Sequence, residues 1–315
     1  MWPARPAVAL LLLLVLTVGV LVVAASTGQS WINPFHPADA MSAAIYWQLR
    51  LPRVLTAFAV GGLLSVAGTG FQVMLQNPLA EPYVLGVAGS AAVGAVGCAA
   101  LFPDAAWAMP AGAFAGAILG SGIVGFFASL GPVRLLLAGV VLAAFWAAVL
   151  ALLLSLLPAR ELGRAFGWML GDLSASPLSP TLLLAVLGIS VLGGLAVSAS
   201  LDRLLLGEQQ ARALGIPVHQ LHLGLLLGAS VMTAVAVTAA GTIGFVGLVV
   251  PHMMRMLIGP MHRLLIPAAA LAGGVLLVTA DTAARTVVAP AELPVGVLTA
   301  MIGVPVFLAL LVQRR

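Results

Sequence analysis

Reactive chemistry has few footholds in this sequence. Inside the apolar stretches the titratable candidates are Asp281 and Arg285, four apart and so on one helix face, and His252 beside Pro251. An ionisable residue at membrane depth is a functional suspect by default, yet a mutually neutralising pair near a helix end more often serves structure. His219 and His222 are spaced for one helical turn. Without a third ligand they read as interfacial residues, and no metal site is expected. No serine stands in a Gly-x-Ser-x-Gly setting, so hydrolase chemistry has no support. The single cysteine, Cys98, allows neither an intrachain disulfide nor a Cys-x-x-Cys centre. All 13 cations are arginine. The missing lysine excludes a Walker A loop and Schiff-base catalysis on this chain. The chain is therefore not expected to be an enzyme or to carry a cofactor.

The elements that must position these residues are membrane spans. Of 315 residues 62% are hydrophobic and 7% charged, with mean hydropathy +1.19. Typical globular chains carry about 25% charged residues, so 13 cations and 9 anions cannot coat a soluble surface. A net charge of +4 on so few ions implies no nucleic-acid partner. A bilayer core requires about 20 apolar residues per helix. Candidate spans are 7–25, 54–76, 83–102, 107–129, 134–156, 179–199, 221–242, 244–258, 264–283 and 295–312. Ala24-Ala25-Ser26 could pass for a signal-cleavage region, but the apolar run before it is long for a signal, and a retained anchor is preferred. The span at 244–258 is short and contains Pro251.

An even number of spans puts both termini on one side. The positive-inside rule then places Arg5, Arg134, Arg203, Arg212, Arg255, Arg263, Arg314 and Arg315 in the cytoplasm, with Arg50, Arg53, Arg160, Arg164 and Arg285 outside. No stretch is long and polar enough for a separate soluble domain, so residues 1–315 read as one transmembrane domain. Gly112, Gly116 and Gly120 share a helix face and predict close helix packing; Gly224 and Gly228 repeat the spacing. Ala67–Phe71 and Ala240–Phe245 form a faint internal echo, of the kind duplicated transporters leave.

The informative polar segment is Ser200 to Gln220. Asp202 can cap a helix, Glu208 and Arg212 make an i,i+4 pair, and Gly215 with Pro217 supplies a stop. The spacing predicts a short helix on the cytoplasmic surface, either lying on lipid or docking a partner.

Several motifs carry a resemblance. Arg50-Leu51-Pro52-Arg53, Gln76-Asn77-Pro78-Leu79-Ala80-Glu81-Pro82 with Leu85-Gly86-Val87, and Leu206-Gly207-Glu208 with Ala211-Arg212-Ala213-Leu214-Gly215 fall in order along the chain. Gly244-Phe245-Val246-Gly247-Leu248-Val249-Val250-Pro251-His252 and Ala289-Pro290-Ala291-Glu292-Leu293-Pro294-Val295-Gly296 follow. Over roughly residues 45–312 the chain resembles the FecCD-type permeases of ABC importers, which serve iron-siderophore, haem and vitamin B12 uptake. The resemblance implies an all-α fold of about ten transmembrane helices, the type II importer permease architecture. It implies a homodimer in the bacterial inner membrane with two cytoplasmic ATPase subunits. It further implies a periplasmic or lipid-anchored substrate-binding protein.

By the same resemblance Arg50, Arg53 and Arg285 dock glutamates of the binding protein, a task suited to bidentate guanidinium groups. Asn77 and Leu79 lie at the cytoplasmic gate of the pathway. Gly207, Glu208, Ala211, Arg212, Ala213, Leu214 and Gly215 form the element that couples to the ATPase. Thr242 departs from the proline common in the family, which predicts a looser connection there. The absence of a histidine cluster tilts the cargo slightly toward a siderophore or corrinoid. The competing reading is an ion-coupled secondary transporter using Asp281 or His252 without an ATPase; a membrane-embedded enzyme ranks last.

Overall fold

The computed structural model describes residues 6–28, 30–78, 80–81, 86–128, 132–174 and 176–312; Arg5, Leu79, Arg314 and Arg315 lie outside the described residues. Every regular element among them is helical. In chain order these are α1 (Pro6–Ser26), α2 (Ala40–Ala44), a π-helical turn (Ile45–Arg50), α3 (Leu51–Met74), α4 (Val87–Leu101), α5 (Ala108–Ala128) and α6 (Pro132–Leu156). The chain continues through α7 (Ala159–Met169), α8 (Pro180–Leu204), α9 (Glu208–Ala213), α10 (Val218–Ala240), α11 (Val246–Ile258), α12 (His262–Thr286) and α13 (Val295–Val312). Among the described residues seven helices are long and apolar enough to cross a membrane, and α4, α11 and α13 are shorter apolar helices at expected span positions.

The bundle is organised around α3. This helix runs unbroken from the π-helical turn and is buried on all faces, as expected for a helix apolar all round. It packs against α8, α10, α11 and α12. Small residues allow this crowding. A Cβ on Gly61 would strike the backbone of Gly273 in α12, and one on Gly68 would strike Gly247 in α11. By contrast α1 and α6 turn leucine, valine and phenylalanine outward, including Leu12, Val15, Leu137, Val141 and Phe145. In hydrocarbon that exposure costs nothing, because lipid tails are as apolar as the side chains.

The α4–α5 contact is the close glycine packing that the sequence predicts. Gly112 meets Gly94, while Gly116 and Gly120 meet Ser90. Gly224 and Gly228 do not behave so: no atom lies within 4 Å of a Cβ built on either. They line, with Gly193 and Gly194, an apolar groove of about 770 Å³ between α8 and α10. The spacing identifies a face of small residues but not what that face meets. The internal echo likewise has no structural counterpart. Residues 67–71 lie inside α3, whereas 241–245 form the break between α10 and α11.

That break is held firmly. Gly241 takes φ +71°, a conformation that a side chain would strain, and its position directly abuts the Trp168 carbonyl. The Thr242 hydroxyl donates to the Met169 carbonyl, Asp172 N–H donates to the Ala240 carbonyl, and Gly296 N–H to the Leu170 carbonyl. Where the family commonly carries proline, Thr242 thus ties the connection to the end of α7 through a hydrogen bond.

Candidate functional site

The candidate side chains collect at two ends of the bundle. Arg53 and Gln72 stand 19 residues apart on α3, about 28 Å at 1.5 Å per residue, so they mark opposite ends.

At the first end Asp281, on the last turns of α12, is 1% exposed and sits between two guanidinium groups. Arg53 donates through Nε and Nη2 to Asp281 Oδ1 at 3.1 and 2.9 Å. Arg285 Nε donates to Oδ2 at 3.1 Å. Arg53 Nη1 also lies 2.9 Å from Glu292 Oε2, on the stretch leading into α13. The expected Asp281–Arg285 pair therefore exists, but Arg53, 228 residues away, completes it. Burial explains the arrangement: a charge withdrawn from water must be paired and hydrogen-bonded. The same geometry makes Asp281 a poor proton relay, since both oxygens accept charge-assisted bonds.

Arg285 and Arg50 also fasten the end of α1. Arg285 Nη2 reaches the Ala24 carbonyl at 3.3 Å, and Arg50 Nη1 reaches the Ser26 and Ser30 carbonyls at 2.9 and 3.0 Å. Cations on the last carbonyls of a helix satisfy orphan acceptors and complement its dipole. Arg50, Arg53, Arg285 and Glu292 line a recess of about 650 Å³ at this end. The three arginines singled out from the sequence thus come together. Two of them engage carboxylates of this chain: the Arg285 pairing follows from its spacing to Asp281, whereas that of Arg53 has no signal in the sequence.

At the opposite end α8 stops at Leu204, and α9 is set off by glycines with positive φ, Gly207 at +104° and Gly215 at +80°. Between them Ala211 is fully buried, while Leu214 and, just before Gly207, Leu206 are more than half exposed. Glu208 and Arg212 form their predicted pair at 3.2 Å on the exposed face. The segment is a short, outward-standing helix with an apolar and charged surface. Asp202 caps a helix as expected, but a remote one. Its Oδ1 accepts from the His262 backbone N–H at 2.9 Å and approaches Nδ1 at 2.6 Å, tying the start of α12 to the end of α8.

Between α3 and α4 the chain turns back into the bundle. Gln72 Nε2 donates to the Leu248 carbonyl and its Oε1 accepts from Arg255. Gln76 takes φ +46° and donates through Nε2 to the Leu204 carbonyl at 3.3 Å. Asn77 is half-buried and its carbonyl accepts from Ala80 N–H. Glu81 is 6% exposed, and its Oε1 accepts from the Phe245 N–H at 2.5 Å. Gly86 then meets Leu142 and Ala143 in the middle of α6. Gln72, Gln76 and Glu81 had no assigned role in the sequence reading. Two of them had a signal, because Gln76 and Glu81 bracket the Asn77-Pro78 break. Among the described residues no group of three metal-ligating side chains comes together.

A bundle of apolar helices with a buried ionic cluster at one end and an exposed helical element at the other is the architecture of a multi-pass membrane protein. The FecCD transport family model matches residues 9–313, and the chain belongs to that family. It is 38% identical over 309 residues to the vitamin B12 import system permease protein BtuC of Vibrio cholerae, covering 96% of this chain and 93% of that one. It is 42% identical over 283 residues to the hemin transport system permease protein HmuU of Yersinia pestis, covering 86% and 84%. Among solved structures, a metal-chelate-type ABC transporter in an inward-facing conformation superposes with a TM-score of 0.88 at 29% identity, over 97% of this chain and 99% of that one. The chain is accordingly an ABC-type permease of the inner membrane rather than an enzyme.

Proposed function

We propose that this chain is the single-domain membrane subunit of an ATP-driven importer for a metal chelate of the haem, cobalamin or siderophore class. It works as a homodimer with both termini in the cytoplasm. Its cofactor needs are met elsewhere: two cytoplasmic ATPase subunits bind ATP and Mg. The observation that carries the reading is the kinship to hemin and vitamin B12 permeases over nearly the whole chain, joined to an exposed helical element at one end of the bundle. The lack of any lysine supports it, because the phosphate-binding loop must then lie on a partner.

In this reading the recess of Arg50, Arg53 and Arg285 faces outward and receives carboxylates of a binding protein. Arg50 is the arginine freest to do so, since Arg53 and Arg285 also hold Asp281. The element from Gly207 to Gly215 enters a cleft of the ATPase, and closure of the nucleotide subunits rocks the helices. Asn77 and Leu79 stand at the gate. The ion-coupled alternative loses its main candidate with Asp281 locked between arginines.

The coupling assignment is tested by exchanging the charges of the exposed pair, Glu208→Arg with Arg212→Glu. Such a surface pair contributes about 0–1 kcal/mol, so the fold survives the exchange. Substrate-stimulated ATP hydrolysis by the assembled transporter is expected to fall to its unstimulated rate. Normal stimulation in the double variant would remove α9 from the coupling interface.

A further inference from the structure

Arg53 divides its guanidinium between two carboxylates of different kinds. Nε and Nη2 form one edge and hold Asp281, which is 1% exposed. Nη1 lies 2.9 Å from Glu292 Oε2, and that carboxylate is 50% exposed. A buried carboxylate leaves its cation only at a large cost, because charge is stranded away from water. A solvated one exchanges cheaply, since water replaces what it loses. One edge of Arg53 is therefore fixed and its outer nitrogen is exchangeable.

The neighbouring arginines lack this division. Arg285 spends Nε on Asp281, Nη1 on the Thr27 carbonyl, and Nη2 on the Ala24 carbonyl and the Thr282 hydroxyl. Arg50 is held by the Ser26 and Ser30 carbonyls. Among the described residues, Glu292 is thus the exposed carboxylate that occupies an arginine of the recess. The backbone around it does not depend on that contact. Ala291 N–H donates to the Val288 carbonyl, Leu293 N–H to the Ala284 carbonyl and Gly296 N–H to the Leu170 carbonyl. The Glu292 side chain can swing off Arg53 while these bonds keep the stretch in place.

We propose that Glu292 is an internal stand-in for the binding protein's carboxylate: it occupies the outer nitrogen of Arg53 in the undocked permease and yields it on docking. The inference rests on the reading of this recess as the docking surface, and adds the competitor that sets its affinity. Docking then trades one carboxylate for another. Arg53 is at no stage left half-paired at low exposure, and the binding protein is held less tightly than its contacts alone would hold it.

The sign of one substitution tests this. Glu292→Gln keeps the shape of the side chain and removes the competing charge. The permease, assembled with its ATPase in lipid nanodiscs, is titrated with the cognate binding protein. The dissociation constant is expected to fall about three- to fivefold, the worth of a solvated ion pair. The unfolding temperature stays close to wild type, because Asp281 still holds the inner edge. Asp172→Asn is the control. Asp172 lines a small pocket with Arg53 and Glu292, but its carboxylate accepts from Ser174 rather than from an arginine. Removing that charge changes the surface field alone, which salt screens, and should alter the dissociation constant by less than about twofold. If Glu292 merely braced Arg53, Glu292→Gln would weaken docking. Weaker or unchanged binding in that variant, or an equal gain in Asp172→Asn, would overturn the stand-in. If the wild-type permease does not bind the protein at all, the docking reading itself fails, and the two failures are distinct.

Discussion

Asp281→Ala is expected to be among the most damaging single substitutions in this chain, lowering stability by about 3–5 kcal/mol. The carboxylate is 1% exposed and accepts bonds from both Arg53 and Arg285. Removing it strands two guanidinium groups, 15% and 8% exposed, and leaves one half-exposed carboxylate, Glu292, paired with Arg53 alone. Uncompensated charge, rather than lost attraction, is the dominant cost, and this has a consequence. Replacing all three residues by apolar ones of similar size, Asp281→Leu with Arg53→Met and Arg285→Met, should recover a large part of the loss. Thermal unfolding in detergent reads both variants. If the triple variant is no better than Asp281→Ala, buried charge is not the cause.

The second large effect lies along α3, where two glycines two residues apart should respond with opposite sign. At Gly68 a Cβ would lie against the backbone of Gly247, which cannot rotate away. Gly68→Ala must push α11 off α3, and overpacking of this kind costs about 1–3 kcal/mol. At Gly70 the nearest atoms to a Cβ are side-chain carbons of Ala229 and Leu225 at 3.7 and 3.8 Å, an ordinary contact. Gly70→Ala should be neutral or stabilising by up to about 1 kcal/mol, the helix propensity gained. Unfolding midpoints of the pair, measured side by side, check the sign; equal losses would contradict the close α3–α11 approach.

The spans were readable because an apolar run has one cheap solution in lipid: a helix that satisfies its own backbone. The breaks were readable at Asn77-Pro78, between two apolar runs, and at Gly215 with Pro217 for equally local reasons. What escaped is long-range. Nothing near Arg53 announces Asp281, and nothing near Glu81 announces Phe245, 164 residues on. Glycine spacing shows the same boundary. Gly112, Gly116 and Gly120 find a partner helix while Gly224 and Gly228 face an open groove, although their local patterns are alike. Motif resemblance drew attention to Arg50, Arg53 and Arg285, but not to the fact that two of them are already tied to a carboxylate of the same chain.

The most direct test of the account is chelate uptake into liposomes containing this chain with its cognate ATPase, the binding protein being added outside. Accumulation of haemin, cobalamin or a ferric siderophore is expected, requiring ATP on the ATPase side and stopping when the ATPase is omitted. Uptake by the chain alone, driven by a proton or sodium gradient and indifferent to ATP, would contradict it.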